Sequence, residues 1–156
     1  MSNAEHVAKF REGVSAWNTW RLENSTIHPD LSNEDLARTN LGDWEHYRFA
    51  DLTVAKLRRV NLQNTNLTNV SFMRADLKEV NFAGANLHGA TLLGAHLQLA
   101  QFINADMAET NLSDAKLGRT VFANVDLGKT RGLTTVNHEG PSTVGVDTLI
   151  PYGLNI

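Results

Sequence analysis

The side chains of this 156-residue sequence that could do chemistry are six histidines and a recurrent short carboxylate or amide. His6, His28, His46, His88, His96 and His138 show no pairing at metal-ligand spacing, so a zinc site is not expected. Cysteine is absent, which excludes disulfides, thiolate metal sites and a cysteine nucleophile and fits a reducing compartment. No Gly-x-Ser-x-Gly elbow or phosphate-cradling loop occurs. What recurs is an Asp or Asn just before a large apolar residue, as at Asp76 and Asn86. A carboxylate row could serve acid–base work, but that also needs a concave pocket. Short polar side chains bonding to turn backbone explain the row better. No catalytic residue, metal or cofactor is expected, and catalysis by residues 1–156 is not predicted.

The elements that carry this row are set by a strict period of five. Leu52, Leu57, Leu62, Leu67, Phe72, Leu77, Phe82, Leu87, Leu92, Leu97, Phe102, Met107, Leu112, Leu117, Phe122 and Leu127 follow one another without a break in phase. Two positions before each stands a small or β-branched residue, from Ala50 and Ala55 through Ala95 to Thr120 and Val125. Five steps of about 100° turn a helical side chain by roughly 140°, which scatters the leucines around the axis. In a long strand an odd period sends successive leucines to opposite faces. A three-residue extended piece, with the small and large residues inward and a two-residue corner after it, satisfies the pattern. Such coils stack about 4.8 Å apart and bury their inward residues as columns, leaving no interior cavity for a substrate.

Units such as Ala75-Asp76-Leu77-Lys78-Glu79 and Ala85-Asn86-Leu87-His88-Gly89 resemble those of the pentapeptide-repeat family. The resemblance implies an all-β solenoid, a right-handed quadrilateral β-helix with four units per coil. The Gly13-Val14 and Trp17-Asn18-x-Trp20-Arg21 entry is similar to that of a bacterial subgroup. The Gly132-Leu133, His138-x-Gly140-Pro141-Ser142 and Asp147-Thr148-Leu149 exit shares this likeness. In that subgroup the unit can precede another domain, in some members a Toll/interleukin-1-receptor-like one. Whether residues 1–156 stand alone or form the recognition part of a longer signalling or effector protein is open in the sequence.

Size and balance fit one structural domain, with 42% hydrophobic residues and a formal charge of −3. No apolar run approaches the roughly 18 residues of a membrane span, and the N-terminus lacks a basic-then-apolar signal, so a cytoplasmic chain without a membrane partner is expected. Residues 1–24 are read as an N-terminal capping helix, 25–130 as the repeat solenoid with regular register over 50–130, and 131–156 as a C-terminal cap or tail. Ser2 and Glu5 have capping-box spacing, and Val7, Phe10, Val14 and Trp17 predict one amphipathic helix over 3–23. Phe10, Val14, Trp17 and Trp20 are assigned to a cover over the first coil's open end; a partner-binding helix with exposed tryptophans is the competing reading.

Leu31, Leu36 and Leu41 start the repeat imperfectly, with Glu34 at a small-residue position, which predicts a distorted first turn. The six-residue step from Leu41 to Tyr47 predicts one inserted residue near Gly42-Asp43-Trp44, in a bulged corner or short loop. After Thr130 the phase ends at Gly132; Val144 and Val146 could form a short strand, and the tail is expected to be a closing extension rather than another coil.

If residues twenty apart lie above one another, the surface sorts into four sides. The Leu57 side carries Lys56, Arg58, Arg59, Lys78, Lys116 and Arg119 against Asp76 and Glu79, a net charge of +4. The Phe82 side, with Asn61, Gln63, Asn64, Asn81, Ala83, Gly84, Gln101, Ile103, Asn104, Val121, Ala123 and Asn124, holds no charge. The Leu67 side is acidic through Asp106, Glu109 and Asp126 against Lys129. The Leu52 side mixes Asp51, Arg74 and Asp114 with outward Met73 and Leu93. Charge depletion marks interface cores, so Ala83, Gly84, Ile103, Val121 and Ala123 are candidates to meet a protein partner or a second copy in a homodimer. The alternative is that the helix or tail of the same chain covers them. The basic side lacks interleaved aromatics, which argues against nucleic acid as partner. Function therefore reads as a non-enzymatic protein-interaction scaffold. The second reading, a DNA mimic that binds topoisomerase and protects it from quinolones, needs a strongly negative rod, and residues 50–130 carry eight Lys/Arg against seven Asp/Glu.

Overall fold

The computed structural model describes residues 1–43 and 48–145. Each repeat unit makes one side and one corner. The carbonyl of the large residue accepts from the N–H of the small residue three positions on, as in Ala75 N–H to Phe72 O at 3.0 Å and Ala95 N–H to Leu92 O at 2.9 Å. The residue just before each small one turns left-handed, from Val54 (φ 54°) through Gly84, Gly89 and Gly94 to Asn124 (φ 51°). The Asp/Asn that precedes the large residue spans the same corner: Asn81 Oδ1 accepts from Ala83 N–H at 3.0 Å and Asp106 Oδ1 from Ala108 N–H at 3.0 Å. This is the turn role expected for the polar row.

Units twenty residues apart pair in parallel. Asp51 bridges Ser71, which bridges Thr91, then Asn111, then Arg131; Lys56, Asp76, His96 and Lys116 make the next column. Asn61, Asn81 and Gln101 form a third column and Asn66, Asn86 and Asp106 a fourth. On the third, β3 (Gln101–Ile103) pairs with β5 (Val121–Ala123), Phe102 facing Phe122. Four columns at one register make a coil of four units.

Both small and large residues face the axis. Ala55, Ala75, Ala95 and Ala115 have no exposed surface, nor do Leu57, Leu77 and Leu97. Each such leucine contributes about 1.5–3 kcal/mol by burial. Phe82, Phe102 and Phe122 form the predicted vertical stack, with ring centroids 4.8 and 5.1 Å apart and planes within 6° and 3°. Where threonine takes the small position its hydroxyl donates to the preceding coil, Thr110 to Leu87 O at 2.8 Å and Thr120 to Leu97 O at 2.9 Å. Of the large residues from Leu52 on, only Leu127 is half-buried; it lies where the regular stack ends.

The N-terminal segment departs from one helix. It forms α1 (Ala4–Arg11) and α2 (Val14–Glu23), broken at Gly13, whose φ of 102° is left to glycine. The break lets Phe10 meet Trp17 edge to face, centroids 4.9 Å apart. Asn3, not Ser2, caps α1, accepting from Glu5 N–H at 2.9 Å, while Ser2 donates to Glu34. The first turn keeps regular corners, Asn33 and Arg38 being left-handed like the later units, but its small positions Glu34 and Thr39 are only half-buried. The Glu34 side chain is held by Ser2 and Arg11.

The insertion is six residues long rather than one. Asp30, Asp35 and Asn40 bridge Lys56, Asn61 and Asn66, a register of twenty-six where later coils show twenty. A period of five fixes spacing only to the nearest multiple of five, so one extra residue and six look alike in sequence. The excess leaves the coil as a hairpin, β1 (Gly42–Asp43) antiparallel to β2 (Arg48–Phe49). Trp44 and Tyr47 lie outside the described residues. Gly42 is required there, since a Cβ would stand 2.3 Å from the Thr68 carbonyl oxygen.

The tail does form part of another coil, with a loosening register. Arg131 sits twenty beyond Asn111, but β4 (Lys116–Leu117) pairs with β6 (Asn137–His138) at twenty-one and β5 with β7 (Thr143–Val144) at twenty-two. Extra corner residues hide the continuation from a search at fixed period. Val146 lies outside the described residues.

Candidate interaction surface

The corners hold each outward side chain in a fixed place, so the sides can be compared directly. On the Phe82 side Ala83, Ile103, Val121 and Ala123 are half-buried and Gly84 is exposed. The described tail does not lie over them: β7 extends the stack beyond β5, placing Val144 in line with Phe122. Helices α1 and α2 sit at the coil's other end. At the corner of this side the Asn124 amide donates to Asn104 Oδ1 at 2.6 Å, so neighbouring coils are tied by a neutral ladder. The surface is uncharged from Asn61 to Asn124, whereas Asp35 and Arg38 mark its edge on the first coil.

The Leu57 side is less basic than its sequence suggests. Lys56, Arg58, Arg59 and Arg119 are exposed and Lys78 and Lys116 half-buried. Arg58 Nε lies 2.6 Å from Asp76 Oδ2, Arg59 Nε 2.8 Å from Glu79 Oε2 and Lys116 Nζ 3.5 Å from Glu139 Oε1. Glu139 comes from the tail and Asp30 from the first coil, and neither falls in the regular register that gives +4. With them the side carries +2, six cations against four anions. The amide of Gln98, which donates to Glu139, and the nearby Lys116 hold the Glu139 carboxyl below its usual range. Burial, with Lys116 and Lys78 close by, pushes the His96 imidazole down. On the Leu67 side Glu109 is paired with Arg131, again from the tail.

Among the described residues no group of three or more His, Cys, Asp or Glu gathers as metal ligands. None of their helices is long and apolar enough to cross a membrane.

At the entry end, Trp17 is fully buried, Phe10 buried, and Val14 and Trp20 packed on the core in part. Sequence reasoning missed the polar half of this cover. Asn18 accepts from Asp51 N–H at 3.0 Å, in place of the carbonyl a preceding coil would supply, and donates to Phe49 O at 2.8 Å. Trp17 Nε1 donates to Asp51 O at 2.7 Å. Arg21, only 5% exposed, donates to Ile27 O at 2.8 Å and Thr53 O at 3.3 Å beside the Asp51 carboxylate. Asn18 and Arg21 adjoin the tryptophans, but each is used once and no repetition marks it.

The family described as "Pentapeptide repeats" matches in eight copies, over residues 55–94, 75–119 and 95–131. A pentapeptide repeat protein, Rfr23, from the cyanobacterium Cyanothece 51142 superposes with a TM-score of 0.70 at 27% identity, covering 81% of this chain and 97% of that one. HetL, a pentapeptide repeat protein involved in heterocyst differentiation regulation from Nostoc sp. strain PCC 7120, gives 0.41 at 22% identity, over 76% of this chain and 48% of that one. QnrB1, a plasmid-mediated fluoroquinolone resistance protein, gives 0.46 at 14% identity, over 78% and 68%. No curated protein matches the chain in sequence. The Rfr23 likeness implies a right-handed quadrilateral β-helix for the four columns described above. With eight matched copies over residues 55–131, a twenty-residue register from Asp51 to Arg131 and the Rfr23 likeness, the repeat body of this chain belongs to the pentapeptide-repeat family.

Proposed function

We propose that this protein is a non-enzymatic interaction scaffold whose Phe82 side receives a protein partner or a second copy of the chain. One observation carries the reading: Ala83, Ile103, Val121 and Ala123 form an uncharged surface on a rigid phenylalanine stack, clear of the described tail. A flat surface without charge loses little on desolvation, which is the property interface cores share. The scaffold works in the cytoplasm, alone or as the recognition module of a longer bacterial signalling or effector protein.

The double variant Ala83→Lys with Ile103→Glu tests this side without touching the core. Reduced crosslinking to copurifying protein, or loss of a dimer in sedimentation, is expected; unchanged recovery and unchanged oligomeric state would remove this side from the proposal. Mimicry of duplex DNA has no supporting observation here, since the repeat body is nearly neutral. A gyrase supercoiling assay is expected to show neither inhibition nor drug protection.

A further inference from the structure

Each coil points backbone groups toward the preceding one. In the body these are the N–H and carbonyl of the residue before the large one and the carbonyl two positions on: Lys56 N–H donates to Pro29 O, while Lys56 O and Arg58 O accept from Leu31 and Asn33. No described coil precedes the first one, and among the described residues helices α1 and α2 stand in for it on two sides only. On the Leu57 side Asp30 O accepts from Asn3 N–H at 3.0 Å and Asp30 N–H donates to His6 Nδ1 at 3.0 Å. On the Leu52 side Asn18, Trp17 and Arg21 serve Asp51 and Thr53.

The remaining two sides are open. Asp35 N–H and O, Ala37 O, and Asn40 N–H and O have no partner among the described residues. Beside this edge runs an apolar groove of about 280 Å³, between Phe10, Gly13 and Val14 at the helix junction and Leu36, Thr39 and Leu41 of the coil. Its one charged wall residue among the described ones is Arg11, a guanidinium with 69% of its side chain exposed despite the pair with Glu34.

We propose that this half-open edge is a strand-addition site for an extended peptide segment of another protein. The peptide pairs its backbone with Asp35 on one side and, bending past the corner at Arg38, with Asn40 on the next; it lays an apolar side chain into the groove and carries an acidic residue that meets Arg11. Backbone pairing supplies affinity in such additions, and alternate side chains supply selectivity. The site is separate from the uncharged Phe82 surface, so either can fail alone.

The probe is a fluorescein-labelled synthetic peptide of alternating leucine, valine and threonine with two glutamates at one end. Its control carries N-methyl groups on alternate backbone amides. Expected are anisotropy binding below about 1 mM, slowing of amide exchange at Asp35 and Asn40 by tenfold or more, and loss of both with the methylated peptide. Arg11→Gln should weaken binding several-fold, and Ala83→Lys with Ile103→Glu should leave it unchanged. Equal binding of the methylated peptide, protection elsewhere, or no binding overturns the proposal. Protection of Asp35 and Asn40 that grows with protein concentration in the absence of peptide would overturn it in favour of a second copy.

Discussion

The repeat body and its N-terminal end close the same kind of backbone edge by opposite means. In the body every rung is made by another rung: Leu77 N–H donates to His96 O and His96 N–H to Ala75 O, and the arrangement recurs each twenty residues. At the end two of the four sides are met residue by residue, Asn18 and Trp17 at Asp51 and His6 with the Asn3 N–H at Asp30, and the other two have no partner among the described residues. Stability in the body is therefore shared among equivalents. At the end it rests on single residues without substitutes.

The comparison breaks first at Trp17. Its ring is fully buried against Phe10 and Trp20, and its Nε1–H serves Asp51. Trp17→Ala should cost about 3–5 kcal/mol. If the end is separable, amide exchange speeds up in α1, α2 and the first coil while residues such as Leu97 keep their protection. Uniform acceleration would mean that the cover and the stack unfold as one. Ala95→Leu probes the opposite case. Ala95 has no exposed surface, and three added carbons in a filled axis should cost about 1–3 kcal/mol. Urea unfolding should show the loss; a tolerated leucine would mean the axis has room that the burial of Ala95 denies.

Legibility follows the same division. Period five placed the inward residues from Ala50 to Phe122 because a wrong phase would put Leu62 or Ala85 in water, and one face is all a sealed axis allows. The same arithmetic was blind to the six-residue excursion after Leu41 and to the stretched register at Asn137 and Thr143, because spacing is known only within a period. The roles of Asn18 and Arg21 were hidden for another reason: each is used once, so no repetition announces it. The uncharged Phe82 side was legible as composition. The neutralised Leu57 side was not, since Glu139 and Asp30 reach it from outside the regular array.

A milder test stays within the body. Left-handed corners suit Gly94 and Asn64, but Val54 holds φ 54° with a β-branched side chain that resists it. Gly94→Val should cost about 1–2 kcal/mol; the added Cβ would lie 3.4 Å from Arg74 Cγ, so backbone strain rather than collision is measured. Val54→Asn should return about 1 kcal/mol. Equal and opposite midpoint shifts in urea would show the corners to be interchangeable along the stack. A silent Val54→Asn would instead mark the first regular coil as relaxed by its neighbouring hairpin.

The smallest effect concerns where the body meets its tail. Burial foremost, then Lys116 and Lys78, depresses the His96 pKa below its ordinary value of 6.5, so the folded protein resists the proton that the unfolded chain accepts. Stability from this source is complete above pH 6.5 and falls as the pH drops toward the depressed value. Glu139, also depressed, gives way in the same direction, but in the carboxylate range around its usual 4.5 and below. Comparing urea midpoints at about pH 7.5 and 5.5 thus separates the two. The wild-type midpoint should fall over that interval, and His96→Gln should flatten the fall while Glu139→Gln should leave it in place. A slope that survives His96→Gln would overturn the assignment of the fall to this histidine.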